Sequence, residues 1–296
     1  MVASPVDTVH SPAAVLDAGR AAGWPCMHAK PRTPKGSLAD LVDSYQASGR
    51  YALTREQALT ALRVSDEALK KAVRRLVDKR RLAVPRRGFY VIVPVEYRAA
   101  GAPPPSWFID GLMKFHGQPY YVGLLSAAAL YGAAHQQPQE FQVVTNEQLR
   151  PAVAGRARIR FLTRRGIERT PTTAIKTETG TMIVSTPEAT ALDLLRYLEA
   201  AGHLGNVATV LAELAERLDA RRLGDVARAE GDLAIAQRLG YLLEHVGGGN
   251  ATAALGEWVA AERPRFVALR PGRPSRRAPK DGRWRVIANE KVEAET

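Results

Sequence analysis

The segment Thr54-Arg-Glu-Gln-Ala-Leu-Thr-Ala-Leu-Arg-Val-Ser-Asp-Glu-Ala-Leu-Lys-Lys-Ala-Val-Arg-Arg-Leu-Val-Asp78 contains two helix starts in quick succession. Thr54 and Gln57 have capping-box spacing, in which the Thr hydroxyl accepts from the Gln57 amide and the Gln side chain reaches back. Ala58, Leu59 and Leu62 give this first helix a buried face. The pattern breaks at Arg63-Val64, and Ser65 then serves as an N-cap with Asp66 and Glu67 in the positive first turn. Leu69, Val73, Leu76 and Val77 recur at helical spacing, and Lys70, Lys71, Arg74 and Arg75 lie on the opposite face.

Working outward, Leu38, Leu41, Val42 and Tyr45 form another apolar helical face that opens at Ser37 and ends at Ser48-Gly49. Downstream, Leu82-Ala-Val84 and Phe89-Tyr-Val-Ile-Val93 flank Pro85-Arg-Arg-Gly88, which reads as a hairpin. Helix, short helix, tight turn, basic helix and hairpin, in that order, are a winged helix-turn-helix spanning 37–98. The Leu/Val stripe packs inward, so the basic face of the third helix points out. Such a helix fits the major groove of DNA, and a hairpin tip reaches the flanking backbone or minor groove. Ser65, Lys70, Lys71, Arg74, Arg75, Arg86 and Arg87 are therefore the candidate DNA-binding residues.

The charge map supports a polyanionic partner. The chain of 296 residues carries a net +12, and the excess is concentrated. Between 70 and 87, nine Lys and Arg side chains oppose Asp78 alone. Between 150 and 169, Arg150, Arg156, Arg158, Arg160, Arg164, Arg165 and Arg169 oppose Glu168 alone. A third basic run lies between 262 and 287. Clustered cations of this kind are suited to neutralising phosphates. Hydrophobic content of 46% excludes a mostly disordered chain, and a single cysteine, Cys26, excludes internal disulfides. No apolar run reaches the roughly 18–20 residues of a membrane helix, and Met1–Pro12 shows no secretory signal, so the expected location is the cytoplasm.

Residues 1–36 read as an irregular leader with a short helix around Pro12–Ala22, and 99–105, with Pro103-Pro-Pro105, as a stiff linker. A second, mixed α+β domain follows over 106–250. It has helices near Trp107–Phe115 and Val122–Tyr131, then strands near Glu140–Thr145, Arg158–Leu162, Thr173–Lys176 and Thr181–Val184. Their spacing suggests a small, mostly antiparallel sheet. Ser185-Thr-Pro-Glu188 opens a helical run through His245. Residues 251–296 read as a basic C-terminal extension, extended or flexible beyond Glu262. The fold class is thus α+β. On the strand around 158–162, alternation puts Arg158 and Arg160 on one face and Ile159 and Phe161 on the other. With Arg156, Arg164 and Arg165, they predict a basic face on the second domain.

No catalytic pattern is present. There is no phosphate-binding glycine loop, no Gly-x-Gly-x-x-Gly and no nucleophile elbow. Cys26-Met-His28 lacks further metal ligands nearby, and Glu188 and Asp193 are spaced so that they do not share a helix face. The expectation is a protein without enzymatic activity, cofactor or metal.

Three segments carry a resemblance to the AbiEi family of antitoxins and transcriptional regulators from type IV toxin–antitoxin and abortive-infection systems. They are Ala61–Leu76 in the N-terminal domain, Tyr120-Tyr-Val-Gly-Leu-Leu-Ser-Ala-Ala-Ala-Leu-Tyr-Gly132 followed by Phe141-Gln-Val-Val-Thr145, and Ser185-Thr-Pro-Glu-Ala-Thr-Ala-Leu-Asp-Leu-Leu195. The resemblance implies a winged helix that binds inverted repeats upstream of its own operon and represses it. It further implies a second domain that counteracts an AbiEii-like nucleotidyltransferase toxin, without requiring a stable complex between the two. The alternative is a winged-helix regulator whose second domain senses a ligand or partner, with no toxin.

Overall fold

The computed structural model describes residues 36–133 and 138–292. Apart from Gly36, the expected leader, its short helix and the Cys26-Met-His28 fragment lie outside the described residues. Among the described residues the chain forms ten α-helices and three sheets, a mixed α+β architecture.

The first part comprises α1 (Leu38–Ala47), β1 (Ala52–Thr54), α2 (Arg55–Leu62), α3 (Asp66–Asp78), β2 (Leu82–Arg86) and β3 (Phe89–Ile92). Local chemistry sets the boundaries. Thr54 Oγ1 accepts from the Gln57 amide at 3.2 Å while Gln57 Oε1 accepts from the Thr54 amide at 2.9 Å. Arg63 takes a left-handed conformation that ends α2, and Ser65 Oγ accepts from the Ala68 amide to begin α3. The strands pair antiparallel in the order β1-β3-β2. Every residue of β3 is buried. Tyr90 and Ile92 join Leu53, Leu82 and the helical stripe Leu69, Val73 and Leu76. Phe89 and Val91 face the other way, onto Phe108, Ile109 and Leu112 of the second part. A sheet covered on both faces ties the two parts into one body, and the described residues form a single unit.

The connection between them is ordered by the same contacts. Ala102 is buried, and the Arg156 amide donates to the Ala100 carbonyl at 2.8 Å. Gly155, at φ +54°, permits this approach, since a Cβ there would lie 2.3 Å from that carbonyl oxygen.

The second part continues with α4 (Ile109–His116), β4 (Tyr120–Val122), α5 (Leu124–Leu130), β5 (Phe141–Thr145), β6 (Ala152–Ala154), β7 (Ala157–Thr163), β8 (Thr172–Thr177) and β9 (Gly180–Ser185). The six strands run β6-β7-β5-β4-β9-β8. Three of its five pairings are antiparallel, as expected, and two, β5 with β7 and β4 with β9, are parallel. The spacing of strands does not encode direction; here β6 takes the return path and β7 re-enters in the sense of β5. One face carries Val122, Val143, Ile159 and Val184 toward α4 and the first sheet. The other carries Tyr121, Val144 and Leu162 toward a helical layer.

That layer is α6 (Pro187–Arg196), α7 (His203–Leu214), α8 (Ala220–Glu230), α9 (Leu233–His245) and α10 (Ala253–Glu262). The segment beyond Glu262, expected to be extended or flexible, is folded onto it. Strands β10 (Val267–Ala268), β11 (Lys280–Asp281) and β12 (Val286–Ile287) form a small sheet. Between the last two, Trp284 is fully buried and donates its Nε1 hydrogen to Glu244 at 2.8 Å. Gln237 Nε2 donates to the carbonyls of Arg265, Trp284 and Arg285 at 2.9–3.1 Å. Three buried anchors, Leu269, Trp284 and Val286, outweigh the Arg/Pro/Gly composition around them.

Candidate nucleic-acid interface and buried ion network

Helix α3 buries Leu69, Val73 and Leu76, which leaves its opposite face open. Lys71, Arg74 and Arg75 are exposed there, with no side-chain ion pair or hydrogen bond among the described residues. Lys70, on the same face, is different. Its Nζ lies 2.8 Å from Glu67 and 3.1 Å from Asp66, and the hydrogen bonds it donates to these two carboxylates hold its pKa above the usual lysine value. Ser65 is occupied as the helix cap.

The hairpin divides its two arginines. Arg87 is exposed at the turn, beside Gly88 at φ +88°. Arg86 is turned into the junction with the second part, where Nη1 donates to the Pro151 carbonyl at 3.0 Å and the guanidinium lies 5.9 Å from the Phe161 ring centre. Burial lowers its pKa, with a further contribution from Arg150. The hairpin tip therefore presents one cation outward instead of two. Sequence alternation misses this because the hairpin has a second domain against its outer face.

The basic face expected on the second domain is divided in the same way. Arg156, Arg158 and Arg165 are exposed. Arg160 is 45% exposed, with Glu140 at 3.6 Å. Arg164 leaves the surface altogether, its side chain only 10% exposed. Arg158, Arg160, Leu162 and Arg164 do share one face of the strand line, as period two requires. The helical layer covers only the far end of that line, so Leu162 and Arg164 are enclosed and the first two are not.

Arg164 enters a buried network that the sequence did not announce. Its Nη1 reaches Asp193 Oδ1 at 3.3 Å and its Nη2 reaches Glu230 Oε1 at 2.9 Å. Arg196 closes the circuit, with Nη2 at 2.5 Å from Glu230 Oε2. Tyr121 Oη donates to Asp193 Oδ2 at 2.7 Å. Asp193 is fully buried, and loss of solvation raises its pKa to about 6 even though Arg164 and Tyr121 pull it down. Burial likewise raises the Tyr121 pKa, further helped by Asp193. For Arg164, burial favours the neutral form, but Asp193, Tyr121 and Glu230 together raise its pKa above the ordinary value. The arrangement is an ionic joint between β4, the end of β7, α6 and α8. Glu188 makes a separate joint, accepting from the Asp219 amide at 3.3 Å. The signal that could have found the network was the burial forced on Asp193 by Ala189, Leu192 and Leu194 around it.

No group of three or more His, Cys, Asp or Glu side chains among the described residues is placed to hold a metal ion. No helix among them is long and apolar enough to cross a membrane.

Comparisons with known proteins bear on the second part of the chain. None of the curated proteins matches the sequence. Among solved structures, the crystal structure of the RV2827C protein from Mycobacterium tuberculosis is similar, with a TM-score of 0.57 and 15% identity over 84% of this chain and 90% of that one. At that identity the likeness is one of fold. The family model for the AbiEi antitoxin C-terminal domain matches residues 121–245, a span that opens on Tyr121 and encloses Arg164, Asp193 and Glu230. Residues 121–245 are thus similar to the C-terminal domain of AbiEi antitoxins.

Proposed function

We propose that this protein is the antitoxin and autorepressor of a type IV toxin–antitoxin pair. In this reading residues 37–98 are a winged helix-turn-helix, α3 is its recognition helix, and the target is DNA carrying inverted repeats upstream of the protein's own operon. The observation that carries the DNA-binding half is the row Lys71, Arg74 and Arg75, exposed and unpaired opposite the buried stripe of α3. Unpaired cations on a helix of groove-fitting width gain most from neutralising phosphates, because each contact releases condensed counterions. Arg87 adds one contact at the hairpin turn.

The antitoxin half rests on the family match over 121–245. In this reading the domain counteracts an AbiEii-like nucleotidyltransferase toxin in the cytoplasm, with no catalysis of its own and without a stable complex being required. Exposed Arg156, Arg158 and Arg165, with half-exposed Arg160, are its candidate polyanion-binding face.

The test has two arms. Gel shifts on the upstream DNA at fixed salt should show binding that the triple variant Lys71→Ala, Arg74→Ala, Arg75→Ala weakens by several kcal/mol in total, at about 1 kcal/mol or more per contact. Co-expression with the product of the adjacent reading frame should show growth protection. Unchanged DNA affinity overturns the first half, and absence of protection by folded, abundant protein overturns the second.

A further inference from the structure

A helix lying in the major groove meets base edges first with its N-terminal residues. In α3 these are Asp66, Glu67 and Ala68, so the leading end carries two carboxylates where an approaching duplex presents phosphates. The structure separates their roles. Asp66 faces back into the fold, accepting from Arg55 at 2.7 Å and standing 3.1 Å from Lys70 Nζ, which ties α2 to α3. Glu67 lies on the open side, its side chain 73% exposed, and its partner is the Lys70 ammonium at 2.8 Å. Lys70 is therefore neutralised by two carboxylates, while Lys71, Arg74 and Arg75 farther along the helix are not.

Against random DNA this end of the helix offers the backbone no free cation, because Arg55 and Lys70 are paired with Asp66 and Glu67. A Glu at the base edges is tolerated where a donor meets it, and in the major groove the cytosine N4 amino group is the donor that suits a carboxylate. We propose that Glu67 is a specificity-determining residue of the DNA site, accepting a hydrogen bond from the N4 amino group of a cytosine and releasing Lys70 to a neighbouring phosphate as it does so. The inference rests on the reading of α3 as a recognition helix. It assigns Glu67 a cost on non-specific DNA and a gain at one base pair.

The test uses the full chain and its Glu67→Gln and Glu67→Ala variants, each shown by thermal unfolding to be folded at the assay temperature. Wild-type protein first selects its site from randomised duplexes, and gel shifts at fixed salt then follow each single base-pair change in that site. One C·G pair should matter to wild type by about tenfold or more. Glu67→Gln should move the preference at that pair toward adenine, which a Gln amide pairs with bidentately. Glu67→Ala should lose preference there alone, and both variants should bind random duplexes severalfold more tightly. Base preferences identical to wild type at every position in both variants would overturn the role of Glu67 and leave the recognition helix standing. Failure of wild type to select any sequence would overturn the recognition helix, and this inference with it.

Discussion

The Tyr121 hydroxyl donates a 2.7 Å hydrogen bond to Asp193, joining the central strand β4 to helix α6 through a carboxylate with no solvent contact. These two residues belong to separate segments of the sequence that carried the family resemblance. Their bond, with Arg164 and Glu230 around it, is the ionic centre of the antitoxin domain.

That centre has a pH signature. An unfolded Asp releases its proton near pH 3.9, whereas folded Asp193 holds it to about 6. Between these values the folded state binds more protons than the unfolded one, so the contribution of this group is fully present below about pH 4 and falls as pH rises to about 6. Chemical denaturation across this range should show wild type losing a few kcal/mol of unfolding free energy relative to Asp193→Asn as pH rises, at about 1.4 kcal/mol per pKa unit. A difference independent of pH would refute the raised pKa.

Two arginines of the same strand line should respond oppositely to charge reversal. Arg158→Glu lies on open surface, and such changes move stability by no more than about 0.5 kcal/mol. Arg164→Glu places a third carboxylate against Asp193 and Glu230, and removal of one partner from a buried pair already costs about 3–5 kcal/mol. Thermal unfolding should leave the first variant close to wild type and the second unfolded or strongly destabilised. In the antitoxin assay, Arg158→Glu combined with Arg160→Glu should keep the fold and lose growth protection.

Trp284 tests whether the C-terminal residues are an integral layer. Trp284→Ala should cost about 3–5 kcal/mol, as large aromatic truncations in cores do. Gly240→Ala should also destabilise, because a Cβ there would sit 2.1 Å from the Trp284 ring. If urea midpoints stay unchanged in both variants, the C-terminal segment is not packed as described.

Phe89 and Val91 bear on how far the two parts can be separated. A fragment ending near Arg98 loses the Phe108, Ile109 and Leu112 surface that covers the outer face of β3. It should unfold at lower denaturant than the same residues within the full chain and bind a hydrophobic dye. Equal stability of fragment and full chain would show the shared core to be dispensable.

Helix boundaries were the most legible feature of the sequence, since Ser37, Thr54, Ser65 and Thr186 cap their helices through contacts within three residues. The alternation of Arg158, Ile159 and Arg160 likewise survived in the strand. What could not be read depended on distant covering surfaces. Arg86 and Arg164 look like their exposed neighbours until the second domain covers one and the helical layer covers the other. The parallel pairing of β5 with β7 arises from a return path through β6 that spacing does not reveal. Trp284 was hidden by the flexible-looking composition around it, and Asp193 by its offset from Glu188.

If α3 holds DNA through Lys71, Arg74 and Arg75, the salt dependence of binding reports their number. Each phosphate neutralised on B-DNA contributes about −0.9 to the slope of log Kobs against log salt. The triple alanine variant should flatten that slope by between about 2 and 3 relative to wild type. Arg86→Ala, with its side chain turned into the domain junction, should leave the slope as it was. A triple variant with the wild-type slope would contradict the account.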